Sequence, residues 1–310
     1  MCCLFGLLDY KNCFQGRDKS KIISTLAKES EERGTDATGV AYVGENRLRI
    51  YKRPLPAHCM KFLIPSNTKY IMGHTRMATQ GDEKRNYNNH PWLSTVDSNH
   101  FALCHNGVIY NDSVLRKKEK LPKTKIKTDS YIAVQLIEHQ KSLNFNSIKN
   151  MAEKVEGSFC FTMIDEHNNF YFVKGSNPLC IYHFKNLGFY IYASTQAILE
   201  RTILKLGLEK FDFENVSIDC GEILKVNNIG EITKSYFEFD EWENCKYLCS
   251  YSYQLYPCGQ ALYDTHVDEA QKEYEDMLKT IAATYGYSKE EIDLLLQDGF
   301  SLEEIEEYLF

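Results

Sequence analysis

The sequence predicts an α+β fold, two antiparallel sheets packed face to face with helices on the outer faces. Three observations predict it. Short apolar runs bounded by Asn, Asp, Gly and Pro recur up to about residue 240, as expected of strands covered on both faces. Segments with apolar residues three and four apart follow the strand groups, two after the first group and one after the second. No repeat or low-complexity linker breaks this alternation before a Tyr- and Cys-rich stretch begins near Asp240.

In chain order, Leu4 to Leu8 is a continuous apolar run ended by Asp9 and reads as a buried strand. Ile22, Ile23 and Leu26 give helical spacing between Lys19 and Arg33, with Gly34 placed as a C-terminal cap. Val40–Val43 and Arg47–Lys52 read as a hairpin, Leu48 and Ile50 alternating with polar residues. Tyr70–Gly73 and Phe101–Cys104 are further strands, running into His74–Gly81 and His105–Gly107. Thr128 or Asp129 is a plausible N-cap for a helix carrying Ile132 and Leu136, and a second helix covers about Ser147 to Val155. Short strands follow at 159–164, 170–173, 179–182 and 189–193; Thr195 then caps a helix closed by Gly207. A hairpin turning at Asn227-Asn228-Ile229-Gly230 ends the group.

Beyond Asp264 the pattern is helical: Val267, Ala270, Tyr274, Met277, Leu278 and Ile281 form a stripe. Ser288 with Glu291 and Ser301 with Glu304 have capping-box spacing, so two short helices would hinge at Gly299 and resemble a small ubiquitin-associated-type pair. The division is therefore residues 2–240, a connector 241–263 and an acidic helical tail 264–310.

Charge follows this division. The chain carries 43 acidic and 36 basic residues; the tail holds 14 acidic and 3 basic, a net of −11, leaving +4 on the first 263. A nearly neutral body argues against a dedicated nucleic-acid binder. The basic segment from Arg116 to Lys127 has neither aromatic nor Gly-rich accompaniment and reads as a solvated helix end and loop. No apolar run approaches the ~18 residues of a membrane span. Cys3–Leu8 lacks the basic flank of a secretion signal, so a cytoplasmic chain with reduced thiols is expected. Cys245, Cys249 and Cys258 are too irregularly spaced for a zinc site.

Met1-Cys2-Cys3 stands ahead of the first strand. Removal of Met1 would place a thiol and a free α-amine on Cys2, which supplies nucleophile and base for amide chemistry. Read with it are Arg33-Gly34-Thr35-Asp36-Ala37-Thr38-Gly39, the stretch Gly73–Gly81 with Asn89-His90-Pro91, His105-Asn106-Gly107, and Thr128-Asp129. In this order and spacing the segments resemble the class II, N-terminal-nucleophile (Ntn) glutamine amidotransferase domain, over about residues 2 to 240. Gly157-Ser158-Phe159, Pro178-Leu179 and Ala193-Ser194-Thr195 look like its second half.

The resemblance implies a four-layer αββα sandwich and a role for each position. Cys2 would attack the glutamine side-chain amide, with Asn106 and Gly107 forming the oxyanion hole. Arg76 would clamp the substrate α-carboxylate and Asp129 would accept its α-ammonium, a combination suited to free glutamine. Thr79 and Gly81 would lie on a loop closing over substrate, while Arg33, Asp36 and His90 would support the site. His74, His90 and His105 would be packed residues, and neither metal nor cofactor is expected. Cys104, Cys160 and Cys180 read as small core residues. Cys3 stands where the family often has Gly, and Met77 where the sugar-synthase branch has an aromatic residue.

The expected function is hydrolysis of free glutamine through a Cys2 thioester, with ammonia passing to a separate acceptor or synthase. With 70 residues after position 240 and no nucleotide-binding fingerprint, the acceptor would lie on a partner, docked through the acidic tail, or the tail would drive self-association. Two other readings are an Ntn hydrolase of another γ-glutamyl or small amide, and a non-catalytic binding module on the same fold. The joint presence of Cys2, Arg76, Asn106, Gly107 and Asp129 weighs against both.

Overall fold

A computed structural model describes residues 2–44, 47–239, 279, 287–297 and 305. The chain divides into two compact units, residues 1–253 and 254–310.

The first unit holds two sheets whose neighbours are all antiparallel. The first has seven strands: β1 (Cys3–Leu8), β2 (Ala37–Gly44), β3 (Arg47–Arg53), β4 (Tyr70–Arg76), β9 (Cys180–Phe184), β10 (Phe189–Ala193) and β11 (Glu214–Asn215). Their order across the sheet is β11-β9-β10-β1-β4-β2-β3. The second has six: β5 (Trp92–Val96), β6 (Asn99–Ile109), β7 (Gly157–Asp165), β8 (Phe170–Lys174), β12 (Glu222–Val226) and β13 (Ile232–Tyr236), in the order β13-β12-β8-β7-β6-β5.

Side chains alternate across a strand, and the buried clusters follow that period. From β1, Cys3, Phe5 and Leu7 join helices α1 (Gly16–Glu29) and α5 (Gln196–Leu206) through Ile22, Leu26, Ile198 and Ile203. Leu4 and Leu8 instead enter the layer between the sheets, where they meet Met72, Cys104, Cys160 and Phe172. The second sheet turns Leu103, Phe159 and Phe161 toward α3 (Tyr131–His139) and α4 (Phe145–Lys154). The result is a four-layer α-β-β-α sandwich, as the sequence predicts. Both faces of β1 are covered, which is why it reads as an unbroken apolar run.

Several local expectations need correction. The first helix ends at Glu29 and passes into a 3-10 turn, Ser30–Arg33. Gly34 is extended (φ 173°) and is not a left-handed cap. Its missing side chain lets the backbone approach β4, since a Cβ there would stand 2.4 Å from the Arg76 carbonyl carbon. Neither Thr128 nor Asp129 caps α3; the residue before it is Ser130, without a side-chain cap. The Asp129 carboxylate is used elsewhere, as its bond to Ile109 shows. Strand β5 and helix α2 (Asp112–Lys118) are additional elements. Cys104 and Cys160 are buried as expected, whereas Cys180 is half-buried.

Capping at other ends follows the sequence. Thr195 Oγ1 accepts the Ile198 N–H and Gly207 ends α5 in the left-handed region (φ 67°). In the second unit, helix α6 (Lys289–Gln297) opens with the Ser288–Glu291 capping box, the Glu291 carboxylate accepting the Ser288 N–H at 2.7 Å. The other tail expectations, the stripe from Val267, the Ser301 box and the Gly299 hinge, fall largely outside the described residues, as do Cys245, Cys249 and Cys258. Among the described residues no helix is long and apolar enough to cross a membrane.

Candidate active site

Sheet register places the site. Cys3 pairs with Thr75 and Leu4 with His74, so continuing the register sets Cys2 opposite Arg76. On β1, β4 and β6 the even-numbered residues Leu4, Met72 and Cys104 face the layer between the sheets. The same period aims Cys2, His74, Arg76 and Asn106 into that layer at one end of the sandwich. A bond across the layer, from His74 Nε2 to the His105 carbonyl at 2.9 Å, ties the sheets together there.

Cys2 is half-buried, and its Sγ lies 3.5 Å from the Met77 carbonyl. Burial pushes its thiol pKa up, while the Met77 carbonyl contact and the Arg76 charge pull it down and Asp129 raises it. The thiol therefore lies within electrostatic reach of both Arg76 and Asp129. Arg33 Nε holds the Cys2 carbonyl at 3.0 Å. Asp36 works one strand further on: its carboxylate accepts the Ala78 N–H at 2.7 Å and its own N–H bonds the Arg76 carbonyl. The support expected of Asp36 is therefore directed at the end of β4 and the Met77 carbonyl that faces Cys2.

Cys3 is fully buried on the helix-facing side of β1, its Sγ directed to the Leu4 carbonyl. Pleating thus separates the two adjacent thiols onto opposite faces of the sheet.

Arg76 is 3% exposed. Its Nη1 donates to Asn89 Oδ1, and its Nη2 donates to the carbonyls of Gln80 (2.6 Å) and Gly81 (2.9 Å). Both two-pronged edges of a guanidinium include Nη2, so in this conformation the loop carbonyls occupy the fork a carboxylate would use. Thr79 is exposed on that loop, and Gly81 turns it with φ 80°. Asn88 and Asn89 hold the loop's return through the carbonyls of Asp82 (2.9 Å) and Glu83 (2.8 Å).

From the second sheet come Asn106 and Gly107. Asn106 is 1% exposed and its side-chain Nδ2 has no hydrogen-bond partner, a vacant buried donor of the kind an oxyanion hole needs. Its carbonyl is held by Asn177 Nδ2 at 2.9 Å. Gly107 has φ 143°, and a Cβ there would stand 1.9 Å from the Ser158 carbonyl oxygen. Gly107→Ala is accordingly expected to lower stability by ~3 kcal/mol or more, combining backbone strain and overpacking. Urea denaturation of the variant, or its failure to accumulate in soluble form, checks this.

Asp129 is 5% exposed; its Oδ2 accepts the Ile109 N–H at 2.7 Å and Ser130 Oγ lies 3.3 Å from Oδ1. Burial raises its pKa against the lowering effect of these hydrogen bonds. Ser130 Oγ also bonds His105 Nδ1 at 2.7 Å.

His90 is buried, stacks on His74 with ring centroids 4.0 Å apart, and packs on Trp92. Burial drives its pKa well below the usual histidine value, and those of His74 and His105 to about 3, so all three rings are neutral. His74 and His105 are hydrogen-bonded, to the His105 carbonyl and to Ser130, whereas His90 is held by packing alone, both its ring nitrogens being without a hydrogen-bond partner. Among the described residues no cluster of three or more His, Cys, Asp or Glu side chains is arranged to hold a metal.

Two contributors, Lys52 and Asn177, escape the sequence reading, and a third, Asn89, is in a segment it quotes but without a role. Lys52 faces inward from β3, in phase with Leu48 and Ile50, and its Nζ donates to the carbonyls of Asn89 and Pro91. Asn89 and Asn177 hold the Arg76 guanidinium and the Asn106 carbonyl. A lysine at an inward position was the one available signal. In the basic segment, Arg116 bonds Gln135 and the Thr128 carbonyl, and the six lysines are exposed, as expected of a solvated loop.

Comparison with known proteins bears on the family and the fold. Residues 74–201 match the glutamine amidotransferase domain family. The chain is 31% identical over 173 residues to the isomerizing glutamine–fructose-6-phosphate aminotransferase of Bacillus cereus, covering 53% of this chain and 28% of that protein. The corresponding protein of Bacteroides thetaiotaomicron is 29% identical over 249 residues, or 75% of this chain and 38% of the relative. The matches therefore span well under half the length of these relatives. The glutamine phosphoribosylpyrophosphate amidotransferase of B. subtilis superposes with a TM-score of 0.61 over 77% of this chain and 50% of that one, at 20% identity, and so shares the fold.

Proposed function

This chain carries a class II, N-terminal-nucleophile glutamine amidotransferase domain, a family of glutamine amide hydrolysis, and on that premise we propose that it hydrolyses free glutamine through a Cys2 thioester. The observation that carries the reading is the register that sets Cys2 opposite Arg76, in the layer that also holds the unpartnered Asn106 Nδ2, with the buried Asp129 carboxylate on the neighbouring sheet's Ile109. A fixed cation and a fixed anion beside one nucleophile complement the two charges of a free amino acid.

The steps follow from the groups present. Burial keeps the thiol protonated near neutrality, so a base is required. With Cys2 as first residue, its α-amine, of ordinary pKa ~7.7–8.0, takes that proton. Sγ bonds the side-chain carbonyl carbon, and the oxygen becomes an anion held by Asn106 Nδ2 and the Gly107 N–H. Collapse breaks the C–N bond, the amine proton leaves with ammonia, and water hydrolyses the thioester to glutamate and free thiol. Arg76 receives the α-carboxylate once Nη2 exchanges the Gln80 and Gly81 carbonyls for it, a step that moves the Thr79–Gly81 loop. Ammonia then passes to an acceptor on a partner protein docked through the segment from Asp264, or is the end product, that segment then serving self-association.

The test compares substrates. Free glutamine should yield glutamate and ammonia, whereas glutamine within a peptide should be turned over at least about a hundred-fold more slowly, for loss of a charged contact at each end, and glutamine acylated only on its α-amine at least about ten-fold more slowly, for loss of one. Equal rates on blocked and free glutamine would contradict the reading.

Asp129 gives a second check. Its folded-state pKa lies above its unfolded value, so its contribution to stability is full below the unfolded pKa and is lost as pH rises through the folded value. Asp129→Asn removes the buried charge while keeping an acceptor for Ile109. The variant should melt at the same or a higher temperature at pH 7, yet show a KM for glutamine raised at least about ten-fold.

A further inference from the structure

Lys52 has no part in the steps above, and Asn89 enters them only as a neighbour of Arg76 and of the loop. Lys52 extends the inward-facing series Leu48, Ile50 on edge strand β3, a position where packing alone calls for an apolar residue. Its Nζ instead donates to the carbonyls of Asn89 and, at 2.8 Å, Pro91. Gly39 on β2 makes room for this corner, since a Cβ there would stand 2.3 Å from the His90 carbonyl oxygen and 2.7 Å from Lys52 Cβ. Asn89, fully buried, then points Oδ1 at Arg76 Nη1 and Nδ2 at the Glu83 carbonyl. One continuous path of hydrogen bonds runs from β3 through the 89–91 corner to the guanidinium.

The placement runs against simple electrostatics. Burial first, and the nearby Arg76 charge with it, lowers the Lys52 pKa to about 8. A cation set beside a buried cation is unfavourable unless it holds something in place.

Resting on the glutaminase reading, we propose that Lys52 and Asn89 are positioning residues that preset Arg76 for the substrate carboxylate. Of the three Arg76 contacts, the two on Nη2 come from the loop and the one on Nη1 comes from Asn89. A carboxylate arriving side-on, across Nε and Nη2, displaces only the loop carbonyls and leaves the Asn89 bond intact. The corner thus fixes the plane of the guanidinium while its other edge changes partner, and it selects side-on over end-on capture. Loss of the corner should weaken ground-state and transition-state binding alike and appear in KM.

The experiment uses the full chain with Asn89→Ala and Lys52→Met. Each variant is assayed for glutamine turnover, and for Cys2 alkylation by iodoacetamide and by a glutamine-like diazoketone that carries the α-carboxylate. Asn89→Ala provides the result if Lys52→Met does not fold. The expected outcome is a KM raised about ten-fold with kcat changed by less than about two-fold. Labelling by the diazoketone below saturation should slow by a similar factor, with iodoacetamide labelling unchanged. A fall in kcat at constant KM, or equal slowing by both reagents, overturns the proposal while leaving the glutaminase reading standing. A wild-type chain that the diazoketone does not label overturns that reading, and this proposal with it.

Discussion

Replacing Cys2 by alanine is expected to reduce glutamate release by roughly 10⁴-fold or more, because the other thiols of the inter-sheet layer among the described residues, Cys104 and Cys160, are fully buried with their pKa values pushed up. Far-UV circular dichroism and the urea midpoint should stay close to wild type, since Cys2 precedes β1 and its side chain is half-buried. The neighbouring thiol gives the contrast. Cys3 is buried on the helix-facing side of β1, so Cys3→Ala should cost about 1 kcal/mol of stability and retain turnover. If the two variants exchanged these phenotypes, the assignment of Cys2 as nucleophile would be wrong. Pleating makes this a sharp test, because adjacent residues on one strand cannot share a face.

Asn106→Ala is the second large effect. Its Nδ2 is buried and unpartnered in the free protein, so removing it breaks no existing hydrogen bond of that group. Loss of one oxyanion-hole donor typically lowers kcat by ~10²–10³. The expected profile is therefore a kcat loss of that size with KM within about three-fold and an unchanged or slightly higher melting temperature. A variant that lost stability in proportion to activity would instead mark Asn106 as a structural residue. The distinction from Gly107→Ala is useful, because there the damage begins in the backbone.

What the sequence revealed, and what it did not, divides along physical lines. Strands β1, β4 and β7 are legible because both faces are covered and their apolar runs are continuous. Thr195 and Gly207 are legible because capping is local chemistry. Asp129 and Thr128 looked like caps for the same reason, but Asp129 is committed to the Ile109 N–H on another element. Gly34 does follow the last helical turn as its C-cap, extended where a left-handed cap is expected, and its missing Cβ also allows close approach to Arg76. The candidate site residues are read from ordered short segments and their family resemblance. Their convergence depends on register and pleat, which pair Cys3 with Thr75 and turn alternate residues inward. Lys52 and Asn177, and the contact made by Asn89 within its quoted segment, are not legible because each works through a backbone carbonyl or a long-range side-chain partner, and such contacts leave no spacing in the sequence.

The central claim is that Cys2, with its own α-amine free, is the residue that bonds the substrate carbon. Intact-mass and peptide-level mass spectrometry of the purified full chain, before and after exposure to a glutamine-like diazoketone, measures both halves of it together. The account predicts a mature chain beginning at Cys2, one covalent adduct per chain on Cys2 Sγ, and protection from labelling by excess free glutamine. A chain that retains residues ahead of Cys2 and takes up no label, or an adduct on Cys3 or another thiol that glutamine does not protect, would contradict it.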